Sequence, residues 1–202
     1  MRSEIVIVDY GMGNLRSVEK AFEKAGARVV VSSRPADIRG AAKIVLPGVG
    51  AFSQAMKELR RRKLVTPILE KIDEGAPYLG LCLGLQLLFS SSEEGPEKGL
   101  GVFSGRVRKF KGSMKIPHMG WNSLTMRGNY CPLFEGIGGQ DYFYFVHSFY
   151  AVPDEKSIVS ATTSYGSPFC SAVWRDNVFA TQFHPEKSQD IGQRVIRNFV
   201  KI

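Results

Sequence analysis

The N-terminal half of the chain alternates between short, continuously apolar runs and segments with helical periodicity. The apolar runs are rich in β-branched residues and lie at 4–9, 28–32 and 43–46, and a fourth run ends at Cys82. A run without regularly spaced polar positions is typical of a strand that is buried on both faces of a parallel sheet. These runs therefore predict strands in the interior of such a sheet.

Helical patterns fill the intervals between these runs. Leu15, Val18 and Phe22 recur at the spacing of one helix face. Near the C-terminus, Ser188 is a plausible N-cap for the last helix. Strands and helices that alternate in this way predict a parallel sheet with helices on both faces. The predicted helices lie at 15–25, 51–62, 67–74, 83–89 and 189–200.

The C-terminal half has a strand-rich pattern. A polar loop at 90–99 precedes it. Consecutive strands without helices between them favour antiparallel pairing, and we expect them to extend the same sheet. Because we find no linker and no internal repeat, we expect residues 1–202 to form a single α/β domain. Its sheet is predicted to be mostly parallel in the centre, with an antiparallel strand extension. The additional predicted strands lie at 102–110, 141–146, 157–163, 169–174 and 178–183.

Composition and charge narrow the classes of function. The chain has 202 residues, of which 27 are basic and 19 acidic, so its formal net charge is +8. We expect a cytoplasmic protein without a membrane partner, because no apolar run is long enough to span a bilayer and the N-terminus lacks a signal-peptide pattern. The densest basic run, at 60–63, ends a predicted helix, where cations are favourable. We therefore predict no nucleic-acid partner.

The cysteine and glycine patterns indicate neither a metal site nor a cofactor site. The three cysteines form no close pair, and we expect them to be reduced. Gly11 and Gly13 follow the first predicted strand and hint at a dinucleotide-binding loop. Arg16, however, occupies the place of the third glycine. We therefore predict no metal and no cofactor.

Cys82 lies at the tip of a glycine-bracketed turn between a predicted strand and a predicted helix. The order strand, Gly80-Leu-Cys82-Leu-Gly84, helix is the thiol version of a nucleophile elbow. The glycines leave room for a sharp turn and for a substrate. A helix N-terminus directed at the sulfur favours the thiolate. The alternative is that Cys82 is a small buried apolar residue, as most free cysteines are.

A cysteine nucleophile needs a base, and the base needs a group that orients it. Among the three histidines, His184 follows a predicted strand, and Glu186 is placed to accept its Nδ1–H. A glycine-rich turn at a neighbouring strand end offers the amides of Val49 and Gly50, and the amide of Leu83 follows the elbow. These N–H groups predict an oxyanion hole. The alternatives are a surface His-Pro turn and an ordinary β-to-α turn.

The order and spacing of these segments resemble the class I glutamine amidotransferases. The resemblance covers nearly the whole chain and rests on Gly-x-Cys-x-Gly at 80–84 and His-x-Glu at 184–186. It implies the three-layer fold of that family and a glutaminase reaction on L-glutamine. In that reaction Cys82 attacks the side-chain amide, His184 transfers protons and Glu186 orients His184. The substrate-binding residues that the resemblance implies are Gly48, Gln86, His147 and Ser148.

Further segments resemble one branch of this family, the glutaminase subunits of imidazole glycerol phosphate synthases. These segments lie at 9–18, 117–122, 145–150 and 184–188, and Phe149 is a minor departure from the expected tyrosine. The resemblance implies a heterodimer with a separate cyclase subunit, a (βα)8 barrel that receives ammonia through a channel in histidine biosynthesis. The interface residues that it implies are Lys115, Pro117, Met119, Trp121, Asn122 and Lys187.

Three other functions remain possible from the sequence alone. They are the glutaminase subunit of another synthase, a non-catalytic scaffold with the same fold, and a thiol-based sensor or hydrolase. The segment 117–122 argues against the first, the intact triad against the second, and Gln86 against the third. We also hypothesise that a peptide within 47–50 points its C=O into the site until the partner binds, which would leave the oxyanion hole incomplete.

Overall fold

A large mixed β-sheet forms the centre of the fold. The structure, a computed structural model, describes residues 4–128 and 130–202. These residues form an 11-stranded sheet and a separate two-stranded sheet. The strands are β1 (Glu4–Val8), β2 (Arg28–Ser32), β3 (Lys43–Gly48), β4 (Tyr78–Cys82), β5 (Phe89–Ser92), β6 (Phe103–Lys109), β7 (His118–Ser123), β8 (Thr125–Met126), β9 (Tyr142–His147), β10 (Phe149–Pro153), β11 (Val159–Tyr165), β12 (Ser167–Arg175) and β13 (Val178–Thr181).

The helices are mostly short and lie between the parallel strands. Within the described ranges, no helix is long and apolar enough to cross a membrane. The α-helices are α1 (Leu15–Lys24), α2 (Pro35–Gly40), α3 (Phe52–Arg61), α4 (Val65–Asp73), α5 (Leu83–Gln86) and α6 (Gln189–Lys201). Single 3₁₀ turns lie at Pro132–Phe134, Lys156–Ile158 and Pro185–Lys187.

The strand order confirms a parallel sheet with an antiparallel extension. The main path is β2-β1-β3-β4-β13-β12-β10-β6-β5, and β11 and β8 pair off this path. The strands from β2 to β13 are parallel to their neighbours. β12 pairs antiparallel with both β13 and β10. The carboxyl ends of β3, β4 and β13 consequently lie side by side, where functional sites of such sheets form.

Helices cover both faces of the parallel half. Successive side chains of a strand point to opposite faces. On β1, Val6 belongs to the same apolar cluster as Phe52 of α3, whereas Ile7 belongs to the cluster that contains Phe22 of α1 and Phe199 of α6. The predicted three-layer arrangement of helices, sheet and helices is confirmed.

Two helix predictions differ from the structure. The sequence pattern misses α2, because its six residues bury only one apolar side chain, Ile38. The predicted helix 83–89 is wrong beyond Gln86, since Phe89 begins β5. The carbonyl of Leu87 accepts the N–H of Leu100 at 2.8 Å instead of continuing the helix. With only four residues, α5 also provides a weaker dipole at the thiol than a full helix would.

Four strands also differ from the predictions. β9, predicted at 141–146, does not extend the main sheet but pairs with β7 in the two-stranded sheet. The pattern does not resolve β10, because only Ser148 separates it from β9. β7 also lacks a clear signal, since its exposed and partly exposed positions do not alternate regularly. The strand predicted at 43–46 continues to Gly48.

Candidate active site

Three strand ends bring the predicted catalytic residues together. Cys82 is the last residue of β4, and Gly48, the last residue of β3, is its partner in the parallel register. β13 ends at Thr181, which pairs with Leu81, and His184 follows shortly after it. Because these carboxyl ends meet at one edge of the sheet, the thiol, the imidazole and the glycine-rich turn share one site.

Cys82 has the backbone of a nucleophile elbow. Its φ is 53° and its ψ is −102°, a conformation that non-glycine residues rarely adopt. Packing requires both flanking glycines. A Cβ on Gly80 would lie 2.6 Å from the carbonyl oxygen of Gly84, and a Cβ on Gly84 would lie 1.9 Å from that of Leu46. The turn can therefore pack against β3 only with glycine at these positions.

His184 and Glu186 form a buried pair. Nδ1 of His184 lies 2.8 Å from Oε1 of Glu186, and each side chain is 3% exposed. The N–H of His184 donates to the carbonyl of Tyr144 at 2.9 Å. The hydroxyl of Ser188 donates to the carbonyl of His184 at 2.6 Å and accepts the N–H of Tyr144 at 3.0 Å. Ser188 is the N-cap residue of α6, as predicted, and its carbonyl accepts the N–H of Gly192 at 3.0 Å. Its hydroxyl makes no cap bond to α6 and fixes the catalytic turn instead.

The electrostatics of the site favour a charged imidazole. Burial lowers the pKa of His184, but the negative charges of Cys82 and Glu186 outweigh burial and raise it to about 10. Among the residues that the structure describes, Nε2 of His184 has no hydrogen-bond partner. Nδ1 is therefore occupied by the carboxylate, and Nε2 is left to exchange a proton with the sulfur or with a substrate.

The glycine-rich turn packs directly against the elbow. A Cβ on Gly48 would lie 2.3 Å from Oη of Tyr10 and 2.9 Å from Cβ of Leu83. Burial and the charge of Cys82 raise the pKa of Tyr10 above its usual range, so its hydroxyl remains protonated. Gly50 has φ 96°, which favours glycine. This contact supports the predicted oxyanion segment, and the role of its amides stays a prediction.

A cavity of about 300 Å³ opens beside Cys82 and has room for a small amino acid. Gly48, which is predicted to bind substrate, is not among its lining residues, and neither are His184 and Glu186. Pro117, predicted for the interface, lines it as well. Glu94, Val146 and Phe149 complete the wall. The predicted site residues that line the cavity are Val49, Gly50, Cys82, Leu83, Gln86, His147 and Ser148.

A larger cavity of about 560 Å³ lies elsewhere, against β10 and β12. Its lining includes Cys170, but no histidine and no carboxylate. Burial raises the pKa of the Cys170 thiol to about 12. Because the larger cavity lacks an activated nucleophile and a base, we assign the active site to the smaller cavity beside Cys82. Within residues 4–128 and 130–202, no group of three or more His, Cys, Asp or Glu side chains is placed to bind a metal ion.

Two polar residues of the site are not found by the sequence patterns. Gln182 is fully buried, and its Nε2 donates to Sγ of Cys82 at 3.5 Å. Its position inside the apolar run 178–183 is a signal that could have identified it. Glu94 lines the cavity, and its carboxylate accepts the N–H of Phe52 at 2.6 Å. Glu94 lies in the polar loop 90–99, where no local pattern distinguishes it.

The residues predicted for a partner interface lie on β7 and next to it. Met119 and Trp121 are 62% and 46% exposed. The rings of Trp121 and Tyr144 meet edge-on with their centroids 6.0 Å apart, and Nζ of Lys187 lies 5.9 Å from the Tyr144 ring centroid. Lys115 is exposed on the segment that leads into β7. These side chains form one surface, which we call the β7 face.

Asn122 differs from its neighbours on β7, because its side chain is engaged within the chain. Its Nδ2 donates to the carbonyl of Ser164 at 2.9 Å and lies 3.3 Å from Nε2 of His118. The amide therefore connects the β7 face to the buried histidine below it.

Comparisons with known proteins identify full-length relatives. The family model for class-I glutamine amidotransferases matches residues 6–202. The imidazole glycerol phosphate synthase subunit HisH of Syntrophotalea carbinolica is 53% identical over 203 residues, which cover 96% of this chain and 98% of that protein. The HisH subunit of Thermosynechococcus vestitus is 50% identical, and the match covers 98% of this chain and 96% of that protein. The subunit HisH 1 of Methanococcus maripaludis is 50% identical, and the match covers 98% of this chain and 99% of that protein.

Solved structures share the fold at low sequence identity. A glutamine amidotransferase crystal structure has a TM-score of 0.76 and 21% identity, and the match covers 98% of this chain and 99% of that one. A chain of PurLQS from Thermotoga maritima has a TM-score of 0.78 and 19% identity, with coverage of 100% and 99%. This likeness confirms the predicted α/β fold.

Proposed function

The chain belongs to the class I glutamine amidotransferase family, and we propose on that premise that it is the glutaminase subunit of an imidazole glycerol phosphate synthase, acting in histidine biosynthesis. Relatives with that subunit name are 53% and 50% identical to it over nearly the whole chain. The observation that carries the reaction is the buried His184–Glu186 pair beside the elbow thiol of Cys82 and its cavity.

The reaction begins with attack of the Cys82 sulfur on the carboxamide carbon of L-glutamine. The imidazolium of His184 gives its Nε2 proton to the nitrogen, ammonia leaves, and a glutamyl thioester remains. Neutral His184 then takes a proton from water, whose oxygen attacks the thioester. The C–S bond breaks, its electron pair returns to sulfur, and glutamate leaves. Glu186 accepts Nδ1–H throughout and so keeps Nε2 directed at the reacting atoms.

The tetrahedral intermediates carry a negative oxygen that needs hydrogen-bond donors. We assign this role to the backbone N–H groups of Val49, Gly50 and Leu83. All three line the cavity beside Cys82. Loss of one such donor costs about 3 kcal/mol of transition-state stabilisation. A peptide of the glycine-rich turn that flips on partner binding would therefore be enough to control the rate.

The rest of the cavity suits the α-amino acid end of glutamine. The carboxylate of Glu94 is placed to attract the α-ammonium group. Gln86, His147 and Ser148 line the opposite parts of the wall. Gly48 contributes by its small size, because a side chain there would meet Tyr10.

The chemistry of the product argues for a partner enzyme. Ammonia that is released into water at neutral pH becomes ammonium, which is not a nucleophile. We therefore propose that a separate cyclase subunit, a (βα)8 barrel, docks on the β7 face and receives ammonia directly. Since Pro117 belongs to both the predicted interface and the cavity wall, docking there would cover the cavity mouth. We propose a cytoplasmic location, one domain for 1–202, and no nucleic-acid, membrane or cofactor partner.

Glutamate release from L-glutamine tests this function directly. The purified chain is assayed alone and with an imidazole glycerol phosphate synthase cyclase subunit and its ligand. We expect release to increase when the cyclase is present and to be absent for Cys82→Ala. A chain that binds the cyclase but releases no glutamate would be a non-catalytic scaffold. Activation only by a different synthase would reassign the partner.

A further inference from the structure

The buried side chain of Gln182 touches the reactive sulfur. Its Nε2 donates to Sγ of Cys82 at 3.5 Å, and its Oε1 accepts the Nε2–H of Gln86 at 3.1 Å. Gln182 is fully buried, so water does not compete for these bonds. Its amide therefore joins the nucleophile to a residue of the cavity wall.

A chain of hydrogen bonds with one possible polarity leads away from this amide. The carbonyl of Phe149 accepts from Gln86 Nε2 at 3.0 Å and from His147 Nδ1 at 2.8 Å. Since a carbonyl only accepts, His147 Nδ1 carries the proton, and its Nε2 accepts from Nδ1 of His118 at 3.0 Å. His118 Nε2 in turn accepts from Nδ2 of Asn122 at 3.3 Å.

Burial keeps both imidazoles of this series of hydrogen bonds, His118 and His147, neutral. It lowers the pKa of His118 to about 4 and that of His147 to about 3. Each ring is therefore held as one tautomer at neutral pH. Because the polarity is the same from Asn122 to His147, no rotation of an amide or exchange of tautomers satisfies these contacts equally well.

The carbonyl of Phe149 determines the orientation of both glutamines, because it can only accept. Gln86 uses both N–H hydrogens of its amide, one toward Phe149 and one toward Gln182. Gln86 lines the cavity, where its Oε1 can accept from a substrate ammonium group. Gln182 presents its carbonyl to Gln86, so its NH₂ group must face the sulfur.

We propose that Gln182 is a catalytic residue of the glutaminase reaction, donating a hydrogen bond to the Cys82 sulfur in an orientation that the contacts of Gln86 with Phe149 and Gln182 fix. The proposal rests on the proposed function. An N–H donor stabilises a sulfur anion more than a thioester sulfur, since the bond is charge-assisted. Gln182 therefore assists the step in which the C–S bond breaks and its electron pair returns to sulfur.

Two substitutions of Gln182 distinguish its hydrogen bond to the Cys82 sulfur from its hydrogen bond to Gln86. Gln182→Leu removes both bonds, and we expect kcat to fall about tenfold to hundredfold, with a rise in KM because Gln86 loses its anchor. Gln182→Glu keeps an acceptor for Gln86 but faces the sulfur with a negative oxygen. We expect an unchanged KM and a comparable loss of kcat at pH 8. The loss becomes smaller toward pH 6, since the introduced carboxyl then gains a proton that it can donate.

Gln193 provides a matched control. It is another buried glutamine, and its Nε2 donates to the carbonyl of Ala21 at 2.8 Å, far from the sulfur in the sequence and on α6. Gln193→Leu and Gln193→Glu report the cost of losing a buried amide without contact to Cys82. We expect them to leave kcat within about twofold of wild type once their folded fractions, measured by urea unfolding, are taken into account.

Alkylation of Cys82 by iodoacetamide distinguishes this proposal from the proposed function. At pH 8, Gln182→Glu should react at least about tenfold more slowly than wild type in the absence of glutamine. Equal alkylation rates, or a folded Gln182→Leu variant with unchanged kcat, would overturn the role of Gln182. A wild-type chain with normal alkylation that never releases glutamate, even with the cyclase, would instead contradict the glutaminase function.

Discussion

At the scale of single residues, the site depends on backbone strain at one position. Cys82 has φ 53° in a turn where Gly80 packs against the backbone of Gly84 and Gly84 packs against the carbonyl of Leu46. Such a conformation costs roughly 1–3 kcal/mol for a residue with a Cβ. The sulfur is presented to the cavity at this cost in stability, and the surrounding parallel strands compensate for it.

Replacement of Cys82 makes this strain measurable. We expect Cys82→Gly to be about 1 kcal/mol more stable than Cys82→Ala, because glycine adopts positive φ without steric cost. Urea unfolding measures the difference. Cys131 is the control, since it is also buried but has φ −90°. There the glycine variant should be the less stable of the two. The same order of stability at both positions would show that Cys82 is unstrained.

The charge of Glu186 has a separate effect on His184. After the charge of Cys82, this carboxylate contributes to the raised pKa of about 10, and the imidazolium is the form that gives a proton to the departing amide nitrogen, which leaves as ammonia. Glu186→Gln keeps an acceptor for Nδ1–H but removes the charge, so the pKa of His184 falls. We expect the alkaline limit of kcat to move down by at least about one pH unit and kcat at pH 8 to fall at least about tenfold.

A pH–rate profile from pH 6 to 10 measures this effect. Glu70→Gln is the control, because Glu70 pairs with Arg39 at the surface. Its profile should superimpose on that of wild type. If the profile of Glu186→Gln also superimposed on it, the carboxylate would have no electrostatic role.

At the scale of elements, the two-stranded sheet of β7 and β9 links the cavity to the outer surface. Its first register pair is His118 with His147, and their rings are surrounded by Phe110, Phe145 and Phe169. Two neutral imidazoles satisfy each other inside this aromatic cluster, where a charged ring would lack a counter-ion. This pair therefore supports the two-stranded sheet only while both imidazoles remain neutral.

This pair predicts a specific acid lability. The folded-state pKa values of about 4 and 3 lie below the ordinary value of 6.5, so the unfolded chain binds more protons below pH 6.5. The free energy of unfolding should therefore fall as the pH drops from about 6.5 through about 4. His118→Gln removes one titrating group, and we expect a shallower fall. Urea unfolding at intervals from pH 7 to 4 measures both slopes, and equal slopes would contradict the assignment.

At the scale of the whole molecule, some of the exposed apolar side chains lie on the β7 face and at the glycine-rich turn. Val49 at the glycine-rich turn and Met119 and Trp121 on the β7 face are 40%, 62% and 46% exposed. Val49 also lines the cavity. Pro117, which is predicted for the interface, lines the same cavity. A partner bound on the β7 face over Pro117 would therefore lie close to the predicted oxyanion segment. Large exposed aromatic side chains at such positions commonly dominate binding energy.

Trp121→Ala tests this surface. We expect the affinity for the cyclase subunit to fall about thirtyfold, corresponding to about 2 kcal/mol for a dominant aromatic contact. Isothermal titration calorimetry measures the dissociation constant, and urea unfolding checks that the isolated chain is unchanged. Met126→Ala is the control, because Met126 is 37% exposed on β8 rather than on the β7 face. Equal losses for both variants would move the interface away from Trp121.

Local patterns predict the parallel half of the fold well. The runs at 4–9 and 28–32 become β1 and β2, because strands buried on both faces have continuous apolar sequences. The patterns fail where pairing is non-local. The carbonyl of Leu87 accepts the N–H of Leu100 rather than continuing a helix, and β9 pairs with β7 rather than with a strand of the main sheet. Such choices depend on segments that lie far apart in the sequence.

The sequence by itself determined the elbow at Cys82, the His-x-Glu segment and the family, because each depends on residue types at fixed local spacing. Only the tertiary structure decided that Gln182 donates to the sulfur and that Glu94 lines the cavity. Only the structure showed that the Ser188 hydroxyl bonds to the catalytic turn rather than to an N–H group of α6. These roles are directional contacts between side chains and distant backbone groups, and the direction of a side chain is set by packing rather than by its neighbours in sequence.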